Sequence, residues 1–82
     1  MDRASIVILE RTLELAAELL PQDARAVEYT DVIRTYLESP NTDSEARLQQ
    51  AVAELLAIAR QNQQFLIAAR LQAFVRQHSD VA

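Results

Sequence analysis

The sequence predicts an all-α fold, a small antiparallel bundle of four helices. Apolar residues recur at every third or fourth position in four successive segments, which is the spacing of one buried helix face. Glycine is absent, which disfavours β-hairpins, phosphate-binding loops and other turns that need a positive φ. The segments between the apolar stretches are short, and short connections are typical of an up-down bundle.

Length and composition predict a single domain that spans residues 1–82. A chain this short buries only about 60 to 65% of the surface that its unfolded form exposes, so pairing with another chain would stabilise it. Cysteine is absent, which excludes disulfides, thiolate metal ligands and redox chemistry. The amino terminus resembles neither a signal peptide nor a membrane span, so a cytoplasmic location is the default expectation.

The first two helices are predicted at residues 4–20 and 24–38. Pro21 is expected to end the first helix, because the residue before a proline is disfavoured in the α region. Asp23 then offers a side-chain oxygen that caps the second helix. The inward positions of the first helix are Ile6, Leu9, Leu13, Ala16, Ala17 and Leu20. Those of the second helix are Ala26, Val27, Tyr29, Val32, Ile33, Tyr36 and Leu37.

The third helix is predicted at residues 43–60 and begins with a capping box. In this motif Thr42 accepts a hydrogen bond from the backbone N–H of Glu45, and the Glu45 side chain accepts one from the backbone N–H of Thr42. The inward positions of this helix are Leu48, Val52, Leu55, Leu56, Ile58 and Ala59.

Five consecutive polar residues, Arg60 to Gln64, follow the third helix. No single buried face passes through such a run without including a polar side chain, so we expect a break near Asn62 and a fourth helix at residues 64–78. A continuous helix would instead give a bundle of three. Residues 79–82 are expected to fray. The inward positions of the fourth helix are Leu66, Ile67, Leu71, Phe74 and Val75.

The two predicted helical hairpins resemble each other at an offset of 39 positions. This offset places Leu9 on Leu48 and Leu13 on Val52, along with several pairs in the second helices. Such a period is compatible with a helical solenoid, in which each hairpin stacks on the next. Two amphipathic hairpins of similar length also align in this way without forming a repeat.

The sequence predicts no catalytic residue, cofactor or metal, and therefore no enzyme. His78 is the single histidine, so a catalytic triad or a two-histidine zinc site cannot be assembled within one chain. The net charge is −4, and the eight arginines are spread along the chain. Because a nucleic-acid binder needs cations clustered on one face, we expect no nucleic-acid partner. No membrane partner is expected either.

An acidic row on the first helix is the first interface candidate. Glu10, Glu14 and Glu18 are four residues apart and share one helix face. Such a row is typical of a solvated face. It can also act as a docking stripe for a basic partner, an interpretation that clustering with Glu28 would favour.

The remaining interface candidates are two tyrosines and an asparagine. Tyr29 and Tyr36 are seven residues apart, hence on nearly the same side of the second helix, and tyrosine is enriched in interface hot spots. Alternatively, both rings are half-buried in the core with their hydroxyls in water. Asn62 either belongs to a polar layer that fixes the register of a helical dimer or lies in a plain loop.

The sequence contains no recognisable catalytic residues, and half of its residues are apolar. Together these observations predict a non-catalytic protein-interaction module of the adaptor or scaffold type. Its partner is expected to be another protein or a copy of itself, with a homodimer as one form. The alternative is an acidic regulatory or inhibitor protein that occupies a basic surface of its partner.

Overall fold

The described part of the chain folds into four helices, as the sequence predicts. The structure, a computed structural model, describes residues 3–20 and 22–81, and the side chains of residues 42, 43 and 78–81 are outside this description. No strand occurs in the described part, so the prediction of an all-α bundle is confirmed. The helices are α1 (Arg3–Leu19), α2 (Ala24–Glu38), α3 (Thr42–Gln61) and α4 (Phe65–Val81).

Each helix packs against two others, and the four contacts form a closed ring. The helices α1 and α2, α2 and α3, α3 and α4, and α4 and α1 are in contact, whereas across the described residues the two diagonal pairs are not. A solenoid would stack α3 on α1. The arrangement is therefore a closed antiparallel bundle. Of its extents of 30 × 21 × 17 Å, the longest matches the length of a single helix.

The bounds of α2 match the predicted ones, and those of the other three helices in the described part of the chain differ by one to three residues. The largest difference is in α4, which continues to Val81 where residues 79–82 are predicted to fray. No proline or glycine follows His78 to stop the helix. The predicted role of Pro21 and the predicted fraying of Ala82 lie outside the described residues; α1 itself ends at Leu19.

The offset between the two hairpins is not constant. The first helices align at 39 residues, with Leu9 and Leu48 both fully buried. In the second helices, the buried residues of α2 align with those of α4 at 38 residues, as Ile33 does with Leu71. The connection before α4 is one residue shorter than the connection before α2.

The core follows the predicted helix faces closely in α3 and less closely in α1, α2 and α4. Ala17, Val27, Leu66 and Val75 are predicted to point inward, but all four are exposed. Their helices are rotated relative to the prediction because a helix with a broad apolar stripe has several possible buried faces. The buried apolar residues are Leu9, Leu13, Ala16, Leu20, Ala26, Ile33, Tyr36, Leu48, Ala51, Val52, Leu55, Ile58, Ala59, Ile67, Ala68, Leu71 and Phe74.

Among the described side chains, three with aliphatic hydroxyl groups are buried with this core, and the apolar pattern does not predict them. They are Ser5, Thr12 and Thr30. The Thr12 hydroxyl donates a 2.7 Å hydrogen bond to the carbonyl oxygen of Ile8, and the Thr30 hydroxyl donates one of 2.8 Å to that of Val27. These bonds within each helix remove most of the cost of burying a hydroxyl, so threonine is tolerated at a core position.

Side-chain caps fix where α2 and α3 begin. The Asp23 carboxylate accepts hydrogen bonds from the backbone N–H groups of Arg25 and Ala26, which confirms the predicted cap of α2. The N-cap of α3 is Asn41, whose side chain accepts a 2.8 Å bond from the backbone N–H of Ser44. The prediction that Thr42 is the cap is wrong by one residue, because asparagine is at least as good a cap as threonine and stands one position earlier.

The predicted break near Asn62 is confirmed. The backbone N–H of Gln64 donates to the carbonyl oxygen of Ala59 at 2.8 Å, and that of Gln63 donates to the carbonyl oxygen of Arg60 at 3.1 Å. These two bonds are the Schellman motif that ends a helix. The motif requires a left-handed residue, and Gln63 takes this conformation with a φ of 59°. In a chain without glycine, a glutamine must occupy a position where glycine is preferred.

We predict that Gln63→Gly raises the free energy of unfolding by about 0.5 to 1 kcal/mol, because glycine adopts a positive φ without the side-chain clash. Gln61→Gly is the matched control. It places glycine in the last helical turn and is expected to lower the stability by about 0.5 kcal/mol. Urea unfolding followed by circular dichroism measures both. A loss of stability in both variants would contradict the assignment of strain to Gln63.

We also predict that Asn41→Ala lowers the free energy of unfolding by about 1 kcal/mol, since the first turn of α3 loses its side-chain acceptor. Asn41→Asp keeps an oxygen at the same place and is expected to retain the stability. The same urea titration tests the pair. Equal losses in the two variants would show that Asn41 stabilises the protein by some means other than capping.

Candidate interaction surfaces

Among the large apolar side chains in the described part of the chain, the two with the highest exposed fractions lie at the start of α4. Phe65 is 66% exposed and Leu66 is 53% exposed, and Ala69 and Ala73 further along the helix are exposed as well. Steps of three and four residues place these four side chains on the outer half of α4. Leu66 was predicted to be buried, and its exposure shows that α4 carries more apolar surface than its two neighbours cover.

Leu19 on α1 is a further exposed apolar side chain at this end of the bundle. It is 38% exposed and lines a cavity together with Asn62, so the α1–α2 and α3–α4 connections lie at the same end of the bundle. The α1 side chains that line a groove against α2 include Leu13 and Ala17. Leu19 lies on the opposite flank, because each residue advances about 100° around the axis, and it therefore lies towards α4.

We refer to this region as the α1–α4 surface, and its charged side chains on α4, Arg70 and Arg76, are positive although the chain as a whole is acidic. Arg11 and Glu18 are exposed on α1, and Arg76 is exposed on α4. Arg70 is half-buried, and its buried Nε has no acceptor among the described residues. The ion pairs of the described side chains, Arg25–Glu54 and Arg34–Asp31, involve none of these four residues. The surface is defined by Leu19, Phe65, Leu66, Ala69, Arg70, Ala73 and Arg76.

A second candidate is an acidic groove of about 480 Å³ between α1 and α2. Glu10, Glu14 and Glu38 stand along it, together with Arg34, whose guanidinium donates a 3.2 Å hydrogen bond to the carboxylate of Asp31. The charge of the arginine is thus offset locally, and the groove remains acidic. Its apolar lining residues are Leu13, Ala17 and Leu37.

The glutamates that the sequence pattern groups together lie on different surfaces of the structure. Glu10, Glu14 and Glu18 are all exposed on α1, but Glu18 does not line the groove against α2. Glu28 lines the cavities between α2 and α3 instead, so it does not join the acidic row. Glu38, which the sequence pattern did not single out, takes that place because the antiparallel arrangement brings the end of α2 beside the middle of α1.

Both tyrosines face α3. Tyr36 is only 8% exposed and belongs to the core, and Tyr29 is partly buried against it. Each ring lines a cavity between α2 and α3, with Arg47 on the opposite wall. Their burial agrees with the interpretation as core residues, and a role as interface anchors stays a prediction.

Asn62 is the C-cap of α3. Its side-chain amide donates a 2.8 Å hydrogen bond to the carbonyl oxygen of Ile58, and its backbone N–H donates to the same oxygen at 3.0 Å. The residue is exposed in the connection between the helices. This geometry agrees with the loop interpretation, since the amide already stabilises the helix end. The side chain of His78 lies outside the described residues.

The described residues contain no group of three or more His, Cys, Asp or Glu side chains arranged to hold a metal ion. None of the helices within the described ranges is long and apolar enough to cross a membrane. Comparisons with family models, with curated proteins and with solved structures found no match to this chain.

Proposed function

We propose that this protein is a non-catalytic protein-interaction module that binds through the α1–α4 surface. The observation that carries the proposal is the exposure of Phe65 and Leu66 at the end of the bundle where Leu19 is also exposed. Adjacent exposed apolar side chains of this size mark interaction sites in small soluble domains. Burying a leucine or phenylalanine side chain contributes about 1.5 to 3 kcal/mol, so two or three of them support a specific complex.

The position of these side chains supports the proposal further. Phe65 and Leu66 begin a helix whose other side is anchored in the core by Ile67 and Leu71, so their backbone is held in place before a partner arrives. A preorganised surface loses less conformational entropy on binding. A cytoplasmic location stays a prediction from the sequence.

We predict that Phe65→Gln with Leu66→Gln weakens association with the partner at least about tenfold, because the contact loses two large apolar side chains. Two measurements detect the effect. They are the solution mass across a concentration series and the capture of proteins by the immobilised chain from an extract of its source cells.

Val27→Gln is the matched control. Val27 is 44% exposed but lies on α2, which does not contact α4 in the described structure. It is expected to leave association unchanged. The proposal would be refuted if the wild-type protein is monomeric at all concentrations and captures no protein that the double variant does not also capture.

A second candidate function, an acidic regulator that occupies a basic surface, is favoured by the groove between α1 and α2. There Glu10, Glu14 and Glu38 surround an apolar floor with one arginine whose charge is offset. Complementary charge mainly speeds encounter and selects partners, and its effect falls with ionic strength.

We predict for this candidate that Glu10→Gln with Glu14→Gln weakens binding of an arginine-rich helical peptide about tenfold at low salt, and that wild-type binding weakens as salt rises. Fluorescence anisotropy of the labelled peptide measures both. Glu28→Gln, on the other side of α2, is the control and is expected to bind as the wild type does. Binding that does not respond to salt would rule the acidic regulator out.

A further inference from the structure

We propose that the cleft between α2 and α3 binds a small zwitterion with an apolar body, which is the chemistry of an α-amino acid with an apolar side chain. Two cavities of about 400 Å³ and 360 Å³ form this cleft, and both have Glu28, Val32 and Arg47 on their walls. We refer to it as the α2–α3 cleft. It lies between a different pair of helices from the α1–α4 surface, so the inference goes beyond the proposed interaction function and does not depend on it.

The size and lining of the α2–α3 cleft are typical of a small-molecule site. Ligand pockets have volumes of about 300 to 1,000 Å³ and combine an apolar lining with a few polar groups that fix the orientation of the ligand. Here the rings of Tyr29 and Tyr36 and the side chain of Val32 provide the apolar lining. Tyr36 belongs to the core and the other two pack against it, so this wall is held in place before a ligand binds.

Two opposite charges line the cleft without meeting each other. Glu28 on α2 and Arg47 on α3 line both cavities, and neither takes part in the ion pairs of the described side chains. Asp31 also lines the cleft, but the guanidinium of Arg34 donates a 3.2 Å hydrogen bond to its carboxylate and offsets its charge. A zwitterion can pair with both Glu28 and Arg47, whereas a ligand with one charge meets a like charge in the same cleft.

The hydroxyl of Tyr36 is a third polar group in the cleft. The side chain is only 8% exposed, and its hydroxyl makes no hydrogen bond to another described group. The oxygen is not fully buried, because the Nε of Arg70 is the unpaired buried side-chain atom in the described part of the chain. A tyrosine hydroxyl usually finds a partner when the residue is buried. Tyr36 lines the same cavity as Arg47, so its hydroxyl is available to a ligand there.

These three groups define the orientation of the ligand. The carboxylate accepts hydrogen bonds from the guanidinium of Arg47 and from the hydroxyl of Tyr36, since both are donors. The ammonium group pairs with the carboxylate of Glu28. The apolar side chain of the ligand packs on Val32 and on the tyrosine rings.

Titration with L-phenylalanine tests the proposal. We expect saturable binding to the wild-type chain with a dissociation constant of about 1 mM or lower, and shifts of the backbone amide signals of Val32, Tyr36 and Arg47 in NMR spectra of the nitrogen-labelled protein. N-acetylphenylalanine lacks the ammonium charge, and phenethylamine lacks the carboxylate. Each is expected to bind at least about tenfold more weakly, because one charge of the cleft is left without its partner.

Substitutions test the three groups separately. Arg47→Gln and Glu28→Gln are each expected to raise the dissociation constant of phenylalanine about tenfold, and Tyr36→Phe about threefold because one hydrogen bond is lost. Arg60→Gln on α3 and Glu14→Gln on α1 remove the same charges at exposed positions that do not line the cleft, and both are expected to bind as the wild type does. Circular dichroism verifies that every variant is folded.

Three outcomes would overturn the proposal. Phenylalanine that does not bind saturably removes the site, and equal binding of the two singly charged analogues removes the requirement for a zwitterion. Equal losses in Arg47→Gln and Arg60→Gln would show that the effect comes from net charge and not from the cleft. Association through Phe65 and Leu66 is measured without phenylalanine, so failure of this site is distinguishable from failure of the proposed interaction function.

Discussion

The packing of α1 against α4 is the contact on which the rest of this structure depends. It joins the first helix to the last and closes the ring of four helices. Without it, two hairpins would meet only along α2 and α3, and Leu9, Leu71 and Phe74 would lose the core in which they are fully buried. Such side chains contribute about 1.5 to 3 kcal/mol each, which a short chain of marginal stability cannot lose.

The same contact determines which surfaces remain available for binding. Closing the ring turns one face of each helix inward and leaves the outer faces in solvent. In α4 the outer face carries Phe65 and Leu66, whereas in α1 and α2 the outer faces meet at a groove lined by Glu10, Glu14 and Glu38. The molecule thus presents an apolar, mostly basic surface on one side of α1 and an acidic groove on the other.

The absence of glycine lowers the stability of the fold at one connection. Three connections must be made with ordinary residues, and the one before α4 places Gln63 in a left-handed conformation. That cost is about 1 to 2 kcal/mol in a residue with a Cβ. It is offset by the two Schellman hydrogen bonds and by the amide of Asn62, which together satisfy the end of α3.

The sequence by itself determined the number of helices, their approximate bounds and most of the core. Periodicity located α3 correctly because its large buried residues Leu48, Val52, Leu55 and Ile58 share one helix face. In α1 and α4 the stripe is broad, so spacing alone did not decide between Ala17 and Thr12, or between Leu66 and Ala68, as the buried residue. The polar run around Asn62 indicated the break, while the cap at Asn41 was missed by one residue because two good capping residues are adjacent.

Only the tertiary structure decided which residues share a surface. Glu28 and Glu38 lie on the same helix, yet the packing of α2 turns Glu28 towards α3 and Glu38 towards α1. Leu19 and Leu66 are distant in the chain, and the antiparallel contact of α1 with α4 brings them to one end of the bundle. Local periodicity fixes the face that a helix buries, but the neighbours of its other faces depend on how all four helices close into a ring.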